Sequence, residues 1–374
     1  CLRVAPHIST NSTLHYTSAP ETKRRHPAME SGKAAASPYE CEKVHEIDII
    51  SIASYHRRDF DLAVARTNRR DHEKVRSSLL RTISTTSSTL GNLQSLPLEI
   101  VYEICFLLDI RSLLNFRHAN RRAQQIVRVT RGYEATITHA LEALCVTLKT
   151  NIASWFTVFD LFKALCTRDC HLCGSFGGFI FLPSFMKCCF SCIREDSLPS
   201  ILPVLKRSVK SSPGSLSSSV PTLMSLPGTY SMDEIVRKKR IQIIPAEYVT
   251  LREEHERTRV TQSKETVLLR YMVTTSLPYL DIESGGIQNG ICCSGCQIAL
   301  EKALGSSRIQ SNACVLRDKV YSYDEFMEHF LECREAQNLL KLSHQGVDVA
   351  HISEFVRRGG CFKKRDVVMS FNSK

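Results

Sequence analysis

The sequence predicts a mainly α-helical protein in which small, irregular α+β cysteine-rich modules follow the helices and a disordered tail precedes them. Three observations carry that prediction. Apolar residues recur at helical spacing from Leu96 to Leu165. Cysteines gather in two groups with Cys-x-x-Cys spacing, one around Cys170 to Cys192 and one from Cys293 to Cys333. The first ninety residues are rich in Ser, Thr, Arg, Lys, Asp and Glu, with few aromatic side chains and no sustained period. A chain of that composition cannot bury enough apolar area to offset its ordering entropy.

Within this N-terminal stretch, one short helix is expected near Asp61 to Leu80. The chain opens on Cys1, and Met29 is the natural initiator, so residues 1–28 carry little weight. With 374 residues and 43% hydrophobic content, the chain has material for two or three domains with cores. It contains no run of about 18 apolar residues and does not start with the charged-then-apolar order of a signal peptide, so an intracellular protein without a membrane span is expected. The net charge of +11 favours acidic partners in general, but the basic residues are spread out and read as a solvated surface.

The first sustained helical pattern lies at 93–127. Leu96, Ile100, Ile104, Leu107 and Leu108 recur on one helical face, with Pro97 at the first turn, where its missing N–H does no harm. Asp109 breaks the run and can cap a second helix carrying Leu113, Leu114 and Phe116. Asn120 can cap a third carrying Ala123, Ile126 and Val127. Three such short helices are too small to hold a core alone. The residues Leu93, Leu96-Pro97, Glu99-Ile100, Ile104, Leu107-Leu108, Leu113-Leu114 and Arg117 resemble the F-box motif, with its Leu-Pro-x-Glu-Ile opening, central aliphatics and Leu-Leu-x-x-Arg. After Arg117 the family's Val-Ser or Val-Cys pair is replaced by His118 and Ala119. The resemblance implies that Leu93, Leu96, Pro97, Ile100, Ile104, Leu107, Leu108, Leu113 and Leu114 bind a Skp-family adaptor. The chain would thereby join a cullin-based ubiquitin ligase.

Helical spacing resumes from Tyr133 to Cys166. Ile137, Leu141, Leu144 and Leu148 form one face, and Trp155, Phe156, Phe159, Phe162 and Leu165 another, after a break near 151–157. These residues are expected to be core and to supply the buried area that the three short helices lack. Residues 197–230 are dominated by Ser, Pro and Gly and read as a linker. Beyond it, helices are expected to start at Ser231–Arg240, to run through Thr250–Leu269 as a charged stretch, and to span Tyr323–Leu340. The run Arg237 to Arg240 reads as a solvated helix end rather than an import signal.

In the first cysteine group, Cys170 and Cys173 are followed after fifteen residues by Cys189 and Cys192, with Phe179 to Leu182 expected in a short hairpin between the knuckles. Two Cys-x-x-Cys turns at this separation fit a structural zinc site of the zinc-knuckle kind. Four soft ligands leave no coordination position open for chemistry. Cys188 is an alternative to Cys189, and His171 is expected to be exposed. The second group joins Cys293 and Cys296 to His329 and Cys333, which lie four residues apart and hence on one face of a helix. Cys292 and Cys314 are its spare candidates.

The spacing of the F-box-like segment, the segment Cys173-Gly174-Ser175-Phe176-Gly177-Gly178-Phe179, and the motifs at Pro227–Ser231, Leu277–Asp281 and Gly290–Gln297 resembles a large group of fungal F-box proteins with cysteine-rich C-terminal regions. The resulting division is 1–90, disordered tail; 91–130, F-box; 131–196, helices with the first cysteine cluster; 197–230, Ser/Pro-rich linker; 231–345, module with the second cluster; 346–374, C-terminal tail. The resemblance implies a non-catalytic substrate receptor that presents an unknown target protein to the ligase. The alternative is a zinc-stabilised nucleic-acid-binding or regulatory protein. Nucleic acid is disfavoured because neither cluster is followed by a helix dense in Arg and Asn. Neither cluster has the eight interleaved ligands of a catalytic RING module. No Walker loop, Gly-x-Gly-x-x-Gly, Gly-x-Ser-x-Gly or His-Glu-x-x-His occurs, so no enzyme is expected.

Overall fold

The computed structural model describes residues 38–81, 89–204, 220–248, 264–305, 312–344 and 353–361. The elements from Val44 onward belong to one unit. Much of the expected N-terminal tail is ordered within it. Helix α1 (Pro38–Ala53) leads into strand β1 (Ser54–Tyr55), helix α2 (Arg58–Ala63), a 3-10 turn at Arg69–Asp71 and helix α3 (His72–Leu80). Ile49 and Ala53 pack with Ile291, Tyr321, Phe326 and Phe330, while Phe60, Val64, Ala65 and Leu79 enter the main core. The expectation of disorder over 1–90 is therefore corrected for 44–81, whereas residues 1–37 lie outside the described part. The physical reason is distance in sequence. These few apolar residues are buried by elements that follow from tens to more than two hundred positions later, as when Phe60 stacks on Phe190 and when Ser54 and Tyr55 pair with Cys293 and Cys292.

The three short helices form as expected: α4 (Leu98–Leu107), α5 (Ile110–Ala119) and α6 (Arg121–Val129). Pro97 sits at the N-cap of α4. Asp109 Oδ1 accepts from the Ser112 N–H at 2.9 Å, and Asn120 Oδ1 accepts from the Ala123 N–H at 2.8 Å. Each bond satisfies one of the backbone donors that a helix start leaves unpaired. Helices α7 (Tyr133–His139), α8 (Leu141–Lys149) and α9 (Val158–Leu165) continue the layer. The expected break falls at Asn151, whose φ of 65° ends α8, and Thr157 restarts the chain through a capping box with Asp160. Gly132 makes the sharp α6–α7 turn with φ of 79°, and a side chain there would run into the Phe162 ring. Trp155, expected in the core, is 39% exposed because the break turns it outward, while its neighbour Phe156 stacks on Phe185 at 3.8 Å.

Strands β2 (Phe179–Phe181) and β3 (Met186–Cys188) form the expected hairpin, and Thr274–Ser276 pairs along the other edge of β2. The linker reading is corrected at both ends of 197–230. Ile201–Pro203 and Leu223–Met224 are strands on either side of Gln242–Pro245, and residues 205–219 lie outside the described part. Gly228–Tyr230 and Ile235–Arg237 form a hairpin where a helix was expected from Ser231, since Ser231 and Glu234 adopt left-handed backbone angles that no helix accommodates. Of the expected charged helix, residues 264–269 fall in the observed helix Lys264–Met272, and 250–263 lie outside the described part. The expected helix Tyr323–Leu340 is divided at Cys333 into Tyr323–Glu332 and Arg334–His344. In the C-terminal tail, Phe355 is buried and meets Tyr55 edge-on at 6.1 Å.

One buried guanidinium ties distant segments together. Arg57, 3% exposed, donates to both Asp59 carboxylate oxygens at 2.8 and 2.7 Å and to Asp318 Oδ1 at 2.8 Å. Asp318 also accepts from Arg194 Nη1 at 2.7 Å. Removing one member of such a buried network strands charge in low dielectric. Arg57→Met is expected to lower unfolding free energy by about 3 kcal/mol in urea titration; a change below about 0.5 kcal/mol would show that the network contributes little to stability.

Candidate metal centres and an apolar helix face

The first centre is built by two tight turns brought together by the β2–β3 hairpin. Cys170 and Cys173 lie in a turn closed by bonds from the Cys170 N–H to Ser175 O and from the Gly174 N–H to Cys170 O, at 2.7 and 2.9 Å. Cys189 caps helix α10 (Phe190–Arg194), and its Sγ accepts from the Cys192 N–H at 3.4 Å. Cys170 Sγ lies 3.8 Å from Cys192 Sγ, and Cys173 Sγ lies 3.5 Å from Cys189 Sγ. All four sulfurs fall within 4.8 Å of one another. A tetrahedron with metal–sulfur bonds of about 2.3 Å has edges of about 3.8 Å, so the group has the dimensions of a four-thiolate site.

The second centre draws its ligands from more distant segments. Cys293 lies in the short strand Cys292–Cys293 paired with β1, and Cys296 follows in the first turn of helix Ser294–Gly305. His329 stands in the last turn of helix Tyr323–Glu332, and Cys333 is its C-cap. Reciprocal backbone bonds between Ile291 and Tyr321, at 3.0 and 2.8 Å, clamp the two arms. Cys293 Sγ is 3.7 Å from Cys333 Sγ, and Cys296 Sγ is 3.3 Å from His329 Nε2. These four ligand atoms also lie within 4.8 Å of one another. The His329 ring stacks on Tyr321 at 4.8 Å, which fixes its plane.

Both groups contain the residues expected from their spacing. The open choice between Cys188 and Cys189 resolves to Cys189, while Cys188 is buried in β3, where burial pushes its thiol well up. Cys292 faces Tyr55 and Phe355, with its thiol pushed up to about 12 by burial, and Cys314 is exposed. His171 is exposed, as expected. Contact with Cys189 pushes the Cys170 thiol down to about 4, contact with Cys170 pushes Cys189 well up, and contact with Cys293 holds Cys333 far below the ordinary thiol range. Crowded thiols resist losing every proton together, and a bound dication removes that cost by neutralising the thiolates. Each group could hold one metal ion with no open position for a reacting water.

Two supporting features escaped the sequence. Lys187 is completely buried beside the first centre, donating from Nζ to Leu277 O and Pro278 O at 2.9 and 2.7 Å, and burial pushes its ammonium down to about 7. In the pattern Met-Lys-Cys it reads as an ordinary exposed hairpin residue. Gly295, inside the second knuckle, lets helix Arg334–His344 approach so closely that a side chain there would meet the Ala336 backbone.

Helix α4 presents a separate feature. Val101 and Cys105 face the core, whereas Leu93, Leu96, Pro97, Ile100, Ile104 and Leu107 are exposed, Leu107 to 73%. Leu98, absent from the expected set, is exposed in the same region. Leu108 is half-buried. Leu113 and Leu114, expected at the adaptor surface, are core residues at 1% and 9% exposure, because the α5 face that carries them packs inward. Both side chains pack in the main core.

The chain matches no protein-family model, no curated protein and no solved structure.

Cys173→Ser and Cys296→Ser are each expected to lower the bound metal by one ion per chain, measured by elemental analysis of purified protein. Cys188→Ala is expected to leave it unchanged; a loss there would reassign the third ligand. Gly295→Ala is expected to empty the second centre alone.

Proposed function

We propose that this chain is the substrate receptor of a Skp-cullin-F-box ubiquitin ligase, and that both centres hold structural zinc. The observation that carries the reading is the row Ile100, Ile104 and Leu107 along α4, one helical face left in solvent on a helix whose opposite face is in the core. A contiguous apolar row of this kind marks a protein-binding surface. The F-box resemblance of the same residues names its occupant as a Skp-family adaptor. Docking would cover the row in the manner of a helix laid against an apolar groove. The receptor's own residues bind and position, and ubiquitin transfer occurs elsewhere in the complex.

Zinc is favoured by the ligand chemistry. Four thiolates at one centre, and three with an imidazole at the other, form closed soft donor sets suited to a tetrahedral d10 ion. Cobalt(II)-substituted protein is expected to show the visible spectrum of tetrahedral thiolate coordination, and an octahedral spectrum would remove this assignment.

Because Leu96 and Ile100 are exposed, Leu96→Ala with Ile100→Ala is expected to leave the melting temperature unchanged. It should weaken adaptor binding by roughly 3 kcal/mol, on the order of a hundredfold. Co-purification of the full chain with a Skp-family adaptor reads this directly. An undiminished complex would overturn the receptor reading.

A further inference from the structure

Between α2, α3, α8 and the loops that lead to both metal centres lies a cleft of about 640 Å3, within the range of ligand sites. Its wall includes Arg58, Arg66, Arg69, Ser276 and Asn289, and a second lobe of about 200 Å3 continues from it toward His72 and His139. Gly178, which follows the first knuckle, and Asn289, which precedes the second, line the inner lobe, so both centres hold its walls.

The acidic groups of the cleft are already engaged. Asp61 Oδ2 lies 2.8 Å from His56 Nε2 and 3.9 Å from Arg69 Nη2. Glu142 Oε1 accepts from the Thr67 hydroxyl at 2.9 Å, and its Oε2 is 3.6 Å from His72 Nε2. His56 Nδ1 is in turn 3.1 Å from Gly290 O. The basic groups are not similarly engaged. Among the described residues, neither Arg58 nor Arg66 pairs with a carboxylate, and the Arg66 guanidinium donates to the carbonyl of Leu62 alone. Arg69 has only the long contact with Asp61 and is 75% exposed. Three guanidinium forks with most donors free surround one polar volume.

A single carboxylate would be satisfied by one such fork, whereas a dianion with three equivalent oxygens can use several at once. We propose that this cleft binds a phosphate monoester, held by Arg58, Arg66 and Arg69. The site stands on the cleft's own residues and does not depend on the adaptor reading.

Isothermal titration of the full metal-loaded chain tests it with two probes, inorganic phosphate and a phosphoserine pentapeptide with alanine flanks. Saturable one-to-one binding is expected, and Arg66→Gln with Arg69→Gln should weaken it about tenfold or more. Arg58→Gln alone should weaken it in the same direction. The charge-matched change Lys238→Gln with Lys239→Gln, on exposed residues of another loop, should leave it unchanged. Metal content and melting temperature report whether each variant is folded. A pentapeptide preferred over phosphate by about tenfold assigns the site to a phosphorylated polypeptide, and equal affinity assigns it to a free phosphate-bearing molecule. Absence of binding to the folded wild type, or equal loss in the cleft and control variants, overturns the proposal.

Discussion

The convergence of ligand atoms is the constraint from which the rest of the C-terminal architecture follows. Thiols separated by 22 positions at the first centre, and by 40 at the second, stand within 3.8 and 3.7 Å of one another. Closing loops of that length costs chain entropy that no local hydrogen bond repays. The first loop closes over a hairpin of two three-residue strands. The second closes over a helix, a backbone clamp and a stacked histidine, and so requires more of the chain to be in place.

The two centres are not independent additions to a helical body. Asp318, which follows the second knuckle in sequence, is held by Arg194 of the helix that the first centre caps and by Arg57 of the N-terminal segment. Phe60, three residues along, stacks on Phe190 of that same helix at 3.8 Å. Packed and charged groups thus bridge the segments that carry the two centres, while each centre keeps its own four ligands.

What the sequence revealed and what it concealed divide by the range of the interaction. Asp109, Asn120 and the break at Asn151 act within a few residues, and their roles could be read from residue type and spacing. The ligand sets could be read because cysteine pairs on tight turns have few other uses. The N-terminal elements were hidden because Ile49, Ala53 and Phe60 have no local period and find their neighbours far along the chain. Leu113 and Leu114 were misplaced for a related reason: a motif shows that a leucine matters, while only packing shows whether it faces a partner or the core. At Cys333 the helical period continues through a residue whose backbone leaves the helix to turn its sulfur toward Cys293, which no period can register.

The pairing of β1 with the second knuckle also has a consequence for the order in which the protein is made. His56 and the carbonyl of Gly290 that it meets are 234 positions apart. At ordinary rates of translation, roughly 10 to 50 s pass between their appearance on the ribosome. During that interval Ile49, Ala53 and Tyr55 have no surface to cover them, whereas α4 to α9 can already pack on one another. The segment around β1 is thus among the last parts of the described structure to be covered, although it leaves the ribosome long before the elements that cover it.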